Sequence, residues 1–237
     1  MASNYQITYP VDIVLCIDCT GSMRHIIDIV KNNALRLHGD LKAAMEKKSK
    51  PLGRTRVRVV AFRDYLAYMK DNLPPMLATP FYDLPAEADK FAAAVRGLEA
   101  IGGGDDDEDG LEALGFAMSS PWNTEEHMQR HIIALWTDAK PHELGFGRAC
   151  PAYPQAMAKN LAELTAWWEN SPQDGGKMPS PKARRLLLYA PDAGGWNFIS
   201  DNWDQVVHYT TSLDNGVSEM EYHQIIDQLA NSVCANA

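Results

Sequence analysis

The sequence is short of cysteine, with 4 in 237 residues, at positions 16, 19, 150 and 234. That is too few for a disulfide scaffold at this length and favours a reducing, cytoplasmic setting. Positive charge is scarce as well: 22 Lys and Arg stand against 31 Asp and Glu, for a net charge of −9. A chain this acidic, with no basic stripe, is a poor fit to nucleic acid or to an anionic membrane surface. No apolar run approaches the roughly 20 residues of a membrane-crossing helix, so no membrane insertion is expected. The opening residues, Met1 to Gln6, offer no basic segment leading into an apolar stretch, and no signal peptide is expected. No internal repeat divides the chain.

What is present is apolar sequence in short, punctuated runs, 46% of all residues, enough for one substantial core. A single domain over residues 1–237, with its core at about 10–233, is expected. Runs rich in Val, Ile and Leu at Asp12–Ile17, Arg56–Phe62, His131–Thr137 and Arg184–Ala190 read as strands covered on both faces. Phe81–Leu84 reads as a short antiparallel edge strand and Val206–Tyr209 as a last strand. Helical spacing of apolar residues predicts helices over Ser22–Lys47, Ala86–Leu98, Pro154–Asn170 and Glu219–Val233, with another beginning within Glu108–Leu111. The alternation predicts an α/β fold, Rossmann-like and doubly wound, with a mainly parallel central sheet, one short antiparallel edge strand and helices on both faces. Two long connections, Ala139–Tyr153 and Ser171–Lys182, are expected to be surface loops.

Chemistry concentrates where strands end. The run Val11–Ile17 stops at Asp18, and two hydroxyl residues follow at alternate positions, Asp18-x-Thr20-x-Ser22. A strand that ends in a carboxylate and turns into a helix gathers three oxygen side chains in one short loop. Such a donor set suits a hard dication, Mg²⁺ or Mn²⁺, better than the larger Ca²⁺. In an open parallel sheet, ligands gather outside the carboxyl ends of the strands. Two further loops should reach that rim: Gly102-Gly-Gly-Asp-Asp-Asp-Glu-Asp-Gly110 and Trp136-Thr-Asp138.

Together these motifs resemble the von Willebrand factor A (vWA) family. The matching pieces are Asp18-Cys-Thr-Gly-Ser-Met23, Gly102-Gly-Gly-Asp105 with Glu108 and Ala113-Leu114, and Thr137-Asp138-Ala139, in the family's order. The Asp-x-Thr-Gly-Ser-Met form, with Phe62-Arg-Asp64 after the second strand, is similar to intracellular vWA domains associated with alpha-kinases and bacterial stress systems. The resemblance implies a metal-ion-dependent adhesion site. Thr20 and Ser22 would be direct hydroxyl ligands, and Asp18 and Asp138 would bind directly or through water. Asp105 would be the ligand from the second loop, where the family usually carries threonine. A carboxylate there would tighten metal binding and reduce the ion's demand for an outside acid. The implied function is a non-enzymatic interaction module whose bound ion captures an Asp or Glu of a partner protein, with scaffold duty in such bacterial systems.

Other readings compete at each motif. Asp18, Thr20 and Ser22 also suit plain helix capping. Asp106 and Asp107 read as solvated charges before a helix. Asp105-x-Asp107-x-Asp109-Gly110 opens like a calcium loop, but the twelfth position, which needs a bidentate Glu, is Phe116. Cys16-x-x-Cys19 invites a redox or, with Cys150, a zinc reading; Cys16 inside a strand argues for a buried, inert thiol. Arg63 and Asp64 read as a surface ion pair, with support of the rim as the alternative. His142 reads as a surface residue or a partner contact, and Trp167, Trp168, Trp196 and Trp203 as core or groove aromatics. The enzymatic alternative is a Mg²⁺-dependent phosphohydrolase of the haloacid-dehalogenase type with Asp18 as nucleophile. It lacks the usual second acid, since Thr20 stands there.

Overall fold

The computed structural model of the chain describes residues 7–103, 106–211 and 221–235. Its frame is a mixed sheet. Strands β1 (Tyr9–Asp18), β2 (Leu52–Phe62), β6 (Arg130–Trp136), β8 (Arg184–Pro191) and β9 (Val206–Thr211) run parallel in the order β2-β1-β6-β8-β9. Two short segments, β3 (Met76–Ala78) and β4 (Tyr82–Leu84), pair antiparallel with β2 at its outer edge. β1 is central because it can be buried on both sides: every residue from Pro10 to Asp18 is shielded from solvent.

The period-two alternation of a strand then assigns the two cores. Val11, Ile13, Leu15 and Ile17 face one layer, made by α1 (Arg24–Asn33), α2 (Leu37–Lys47), α4 (Ala88–Arg96) and α8 (Tyr222–Cys234). Val14 and Cys16 face the other, where α5 (Gly110–Met118), α6 (Leu161–Glu169) and α7 (Gly195–Asn202) bring Leu114, Leu164, Trp168 and Trp196. Trp167 and Trp203 belong to the same core. Each such apolar side chain contributes about 1.5–3 kcal/mol by leaving water.

Several expectations are corrected by the helices. The stretch Ser22–Lys47 is not one helix. A single 3-10 turn at Gly21–Met23 leads into α1, which ends at Asn33, and α2 begins at Leu37. Asn33 turns its side-chain amide onto the carbonyl of Ile29 at 2.8 Å, a local bond that competes with helix continuation. The apolar face persists through the break at Ala34 and Leu37, which is why the periodicity conceals it. The helix expected over Pro154–Asn170 is likewise shorter. Asn160 caps it, accepting from the Glu163 amide at 2.9 Å, and helix runs only over Leu161–Glu169. A further helix, α3 (Tyr65–Asp71), was not expected. It is capped by Asp64 and closed by Asn72 in the left-handed conformation. The beginning of the last helix at Glu219 lies outside the described residues; helix is present from Tyr222.

Registers fix the rim. Asp18 stands opposite Phe62, and Ile17 stands opposite Trp136. The carboxyl ends of β1, β2 and β6 are therefore level. The order reverses at β1, whose successor β2 lies on one side while β6 lies on the other, the position where such sheets hold ligands. Beyond the rim a small parallel pair, β5 (Asp107–Glu108) with β7 (Lys140–Pro141), ties the second and third loops together.

Candidate metal centre

Asp18 is fully buried at the end of β1. Its Oδ1 accepts hydrogen bonds from the Thr20 amide (2.9 Å) and the Thr20 hydroxyl (2.7 Å). Its Oδ2 accepts from the Thr137 hydroxyl at 2.8 Å, and Thr137 Oγ1 in turn accepts from the Ala139 amide at 3.1 Å. The Ser22 hydroxyl donates to Asp138 Oδ1 at 3.0 Å, bridging 116 positions of sequence, and lies 3.5 Å from Thr20 Oγ1. Four of the five expected ligands, Asp18, Thr20, Ser22 and Asp138, thus meet in one cluster. The fifth, Asp105, lies outside the described residues.

The second loop is drawn to the first by two backbone bonds, Gly21 N to Gly102 O (3.3 Å) and Ile101 N to Cys19 O (3.0 Å). Arg63 holds it from below. Its guanidinium donates to the carbonyls of Ile101 (3.0 Å), Glu99 (2.7 Å) and Pro74 (3.2 Å), so it is a buried clamp and not half of a surface ion pair. Asp64 is buried too and caps α3 through the Leu66 amide at 2.6 Å. The first glycines of the loop adopt left-handed conformations, φ +85° at Gly102 and +118° at Gly103, which a side chain resists. A Cβ at Gly103 would lie 3.6 Å from Glu108 Oε1 and 3.8 Å from Thr20 Cβ, so the buried Glu108 carboxylate approaches the Thr20 side of the cluster. Thr137 and Glu108 both lie within the sequence motifs, but their supporting positions were not read there; the hydroxyl immediately before Asp138 was the available signal.

Burial pushes the Asp18 carboxyl up to about 6, against the lowering effect of bonds from Thr20 and Thr137, with Asp138 adding repulsion. A carboxylate so placed prefers a proton or a cation. The donor set fits a hard dication. It is all oxygen, with two neutral hydroxyls and two acids, and its 3.0 and 3.5 Å separations are near the roughly 3 Å between adjacent ligands of octahedral Mg²⁺. Ser22 is exposed, so the cluster is open on one side.

The cysteines take no part in such a site. Cys16 packs into one core and Cys19 into the other, on opposite faces of the sheet, and Cys150 belongs to a third cluster with Tyr65 and Tyr153. All four are free, and burial pushes the thiols of Cys16 and Cys19 up, Cys19 to about 12, the opposite of activation. His142, expected at the surface, is buried behind the third loop.

No protein-family model matches the sequence, and no curated protein matches it. Solved structures do match the fold. The pilus adhesin SpaC from Lactobacillus rhamnosus GG, in its open conformation, aligns with 96% of this chain and 30% of its own at 12% identity, with a TM-score of 0.50. A von Willebrand factor type A protein from Catenulispora acidiphila aligns with 96% of this chain and 43% of its own, also at 12% identity, with a TM-score of 0.48. The vWF domain of the type V pili tip protein Mfa5 from Porphyromonas gingivalis matches 58% of this chain at 18% identity, with a TM-score of 0.34. The chain spans less than half the length of each of these proteins. Identities this low speak for the fold alone, and that fold is the mixed α/β architecture, with a mainly parallel central sheet, expected from the alternation of strands and helices.

Proposed function

We propose that this protein is a metal-dependent protein-interaction module. A Mg²⁺ or Mn²⁺ ion held by Asp18, Thr20, Ser22 and Asp138, with Asp105 as the ligand expected from the second loop, presents an open position to an Asp or Glu of a partner. The observation that carries this reading is the 3.0 Å contact between Ser22 and Asp138, which joins the first and third loops around the buried Asp18. Hydroxyl ligands leave the ion only partly neutralised, and an external carboxylate completes its charge. The free, largely buried thiols accord with a reducing, cytoplasmic setting, where we place its scaffold duty. Asp18 as a phosphohydrolase nucleophile is disfavoured, because both of its oxygens accept hydrogen bonds and its side chain is fully buried.

The test is a Mn²⁺ titration followed by calorimetry and electron paramagnetic resonance, with acetate as the carboxylate probe. Wild type is expected to bind one ion at this cluster and to exchange a metal-bound water for acetate. Asp18→Ala is expected to lose binding by at least about 100-fold, the upper end of what removing a group that only orients a ligand costs, while keeping its circular dichroism. Undiminished Mn²⁺ affinity in Asp18→Ala, or hydrolysis of an aryl phosphate that depends on Asp18, would defeat the proposal.

A further inference from the structure

A second group of metal-ligating side chains lies behind the first and shares no residue with it. Asp64, Asp109 and His142 each offer one donor atom, and the three atoms lie within 4.8 Å of one another. All three residues are buried, with 1%, 0% and 6% of their surfaces exposed. The small β5–β7 sheet explains the meeting. Glu108 is in register with Pro141, so Asp109 and His142, the next residue of each strand, leave the pair side by side. The His142 amide also donates to the Glu108 carbonyl at 3.0 Å. Asp64 arrives from the end of β2.

Each donor is already oriented by its surroundings, as ligands in metal sites are. Asp64 Oδ1 accepts from the Leu66 amide (2.6 Å) and Asp109 Oδ2 from the Tyr65 amide (2.6 Å), which fixes both carboxylates against the first turn of α3. The imidazole of His142 stacks on Phe146, with ring centres 4.3 Å apart and planes at 18°.

An independent observation comes from Glu112, three residues beyond Asp109 in α5. It is 0% exposed. Its Oε1 accepts from the Gly145 amide (2.8 Å) and the Tyr153 hydroxyl (2.9 Å), whereas its Oε2 is buried with no hydrogen-bond partner. The carboxylate lies within electrostatic reach of His142. The Tyr65 hydroxyl, in the field of Glu112 and Asp109, is buried without a partner as well. A buried carboxylate oxygen with no donor, such as Glu112 Oε2, is costly unless a cation or a proton reaches it.

We propose that Asp64, Asp109 and His142 hold a second metal ion, a first-row transition dication with Zn²⁺ the best match, whose charge also serves the buried Glu112 carboxylate beside the imidazole. A mixed nitrogen and carboxylate set selects such a metal over Mg²⁺, which favours oxygen alone. Donors around tetrahedral zinc sit about 3.4 Å apart, so loading draws the group together by roughly an ångström. The role is structural. The ion ties α3, α5 and the loop following β7 into one block, and that block carries Asp138 at one end of the small sheet and His142 at the other. The long connection after Asp138 would then be held in shape by zinc.

The experiment uses the full chain, stripped with chelator and titrated with Co²⁺ and Zn²⁺. Wild type should develop a visible Co²⁺ ligand-field band, bind about one equivalent of Zn²⁺ and unfold at a higher temperature when loaded. His142→Ala and Asp109→Asn should lose the band and at least tenfold in Zn²⁺ affinity, whereas Asp18→Ala should keep both while losing Mn²⁺ binding. Absence of the band in wild type overturns the proposal even if the variants fail to fold. So does an unchanged band in folded His142→Ala, or loss of the band in Asp18→Ala with His142 intact.

Discussion

Enclosed at the end of its strand with Asp138 nearby, Asp18 is an acid whose surroundings favour a bound positive charge, and three hydrogen-bond donors hold both oxygens in place. The glycines across from it set the distance of the second loop. Gly103, at φ +118° and close to Glu108, is the position where a side chain does most harm with least chemistry. Gly103→Ala is expected to destabilise the protein by about 1–3 kcal/mol, the range for a strained backbone conformation, and to weaken Mn²⁺ binding as the loop shifts. Urea unfolding and Mn²⁺ titration of the variant check this; unchanged stability and affinity would mean that the loop tolerates a different path. At this scale the meeting of the first and third loops at Asp18, Thr20, Ser22 and Asp138 was legible, because the spacing of the first three is a property of one turn. Arg63, Asp64 and His142 were not, since polar residues after strands read as surface until their partners are known. The partners of Arg63 are carbonyls of other loops, which sequence patterns do not encode.

Among the elements, strands were the most legible, because burial on both faces demands near-continuous apolar runs, and β1, β6 and β8 provide them, while β2 alternates arginine with valine before its buried end. Helix ends were less so. The break at Asn33 hides under a continuous apolar face, and the Asn160 cap with Glu163 three residues later was a readable signal that periodicity outweighed. The small β5–β7 pair is too short to register as a pattern. One element carries a clear pH signature. At the start of β6, His131 is buried, and its Nε2 bonds the Asn123 carbonyl at 2.7 Å while Nδ1 has no partner. Burial lowers its proton affinity below the ordinary 6.5, although Asp12 and the Asn123 carbonyl pull the other way and Arg56 and Arg130 reinforce the drop. The folded state therefore binds the proton less well than the unfolded chain does. Stability should be full above 6.5 and fall as the pH drops below it. His131→Gln, which keeps an amide toward Asn123, should flatten that part of the stability profile measured by urea unfolding; an identical slope in both proteins would contradict this.

Across the whole molecule, the sheet is knitted by a stack of rings. Trp136 lies parallel to Tyr189 (5.0 Å, 1°), and Tyr189 to Tyr209 (4.8 Å, 12°), spanning β6, β8 and β9 on one face. Trp136 is also the last residue of the strand that delivers Thr137 and Asp138 to the rim. Trp136→Ala is expected to cost about 3–5 kcal/mol, as other buried Trp or Phe truncations do. It should also loosen the third loop, lowering metal affinity together with stability. A stability loss without any change in Mn²⁺ affinity would show that core and rim are uncoupled. The layered architecture was legible from alternation alone, whereas the convergence of buried acids behind the rim became visible only once the registers were known.

The most direct measurement is anomalous diffraction from crystals soaked in manganese. A peak is expected about 2.1 Å from Thr20 Oγ1 and Ser22 Oγ, the reach of a small octahedral dication, flanked by Asp18 and Asp138. A difference map with no anomalous density at that position, in crystals whose loops are ordered, would contradict it.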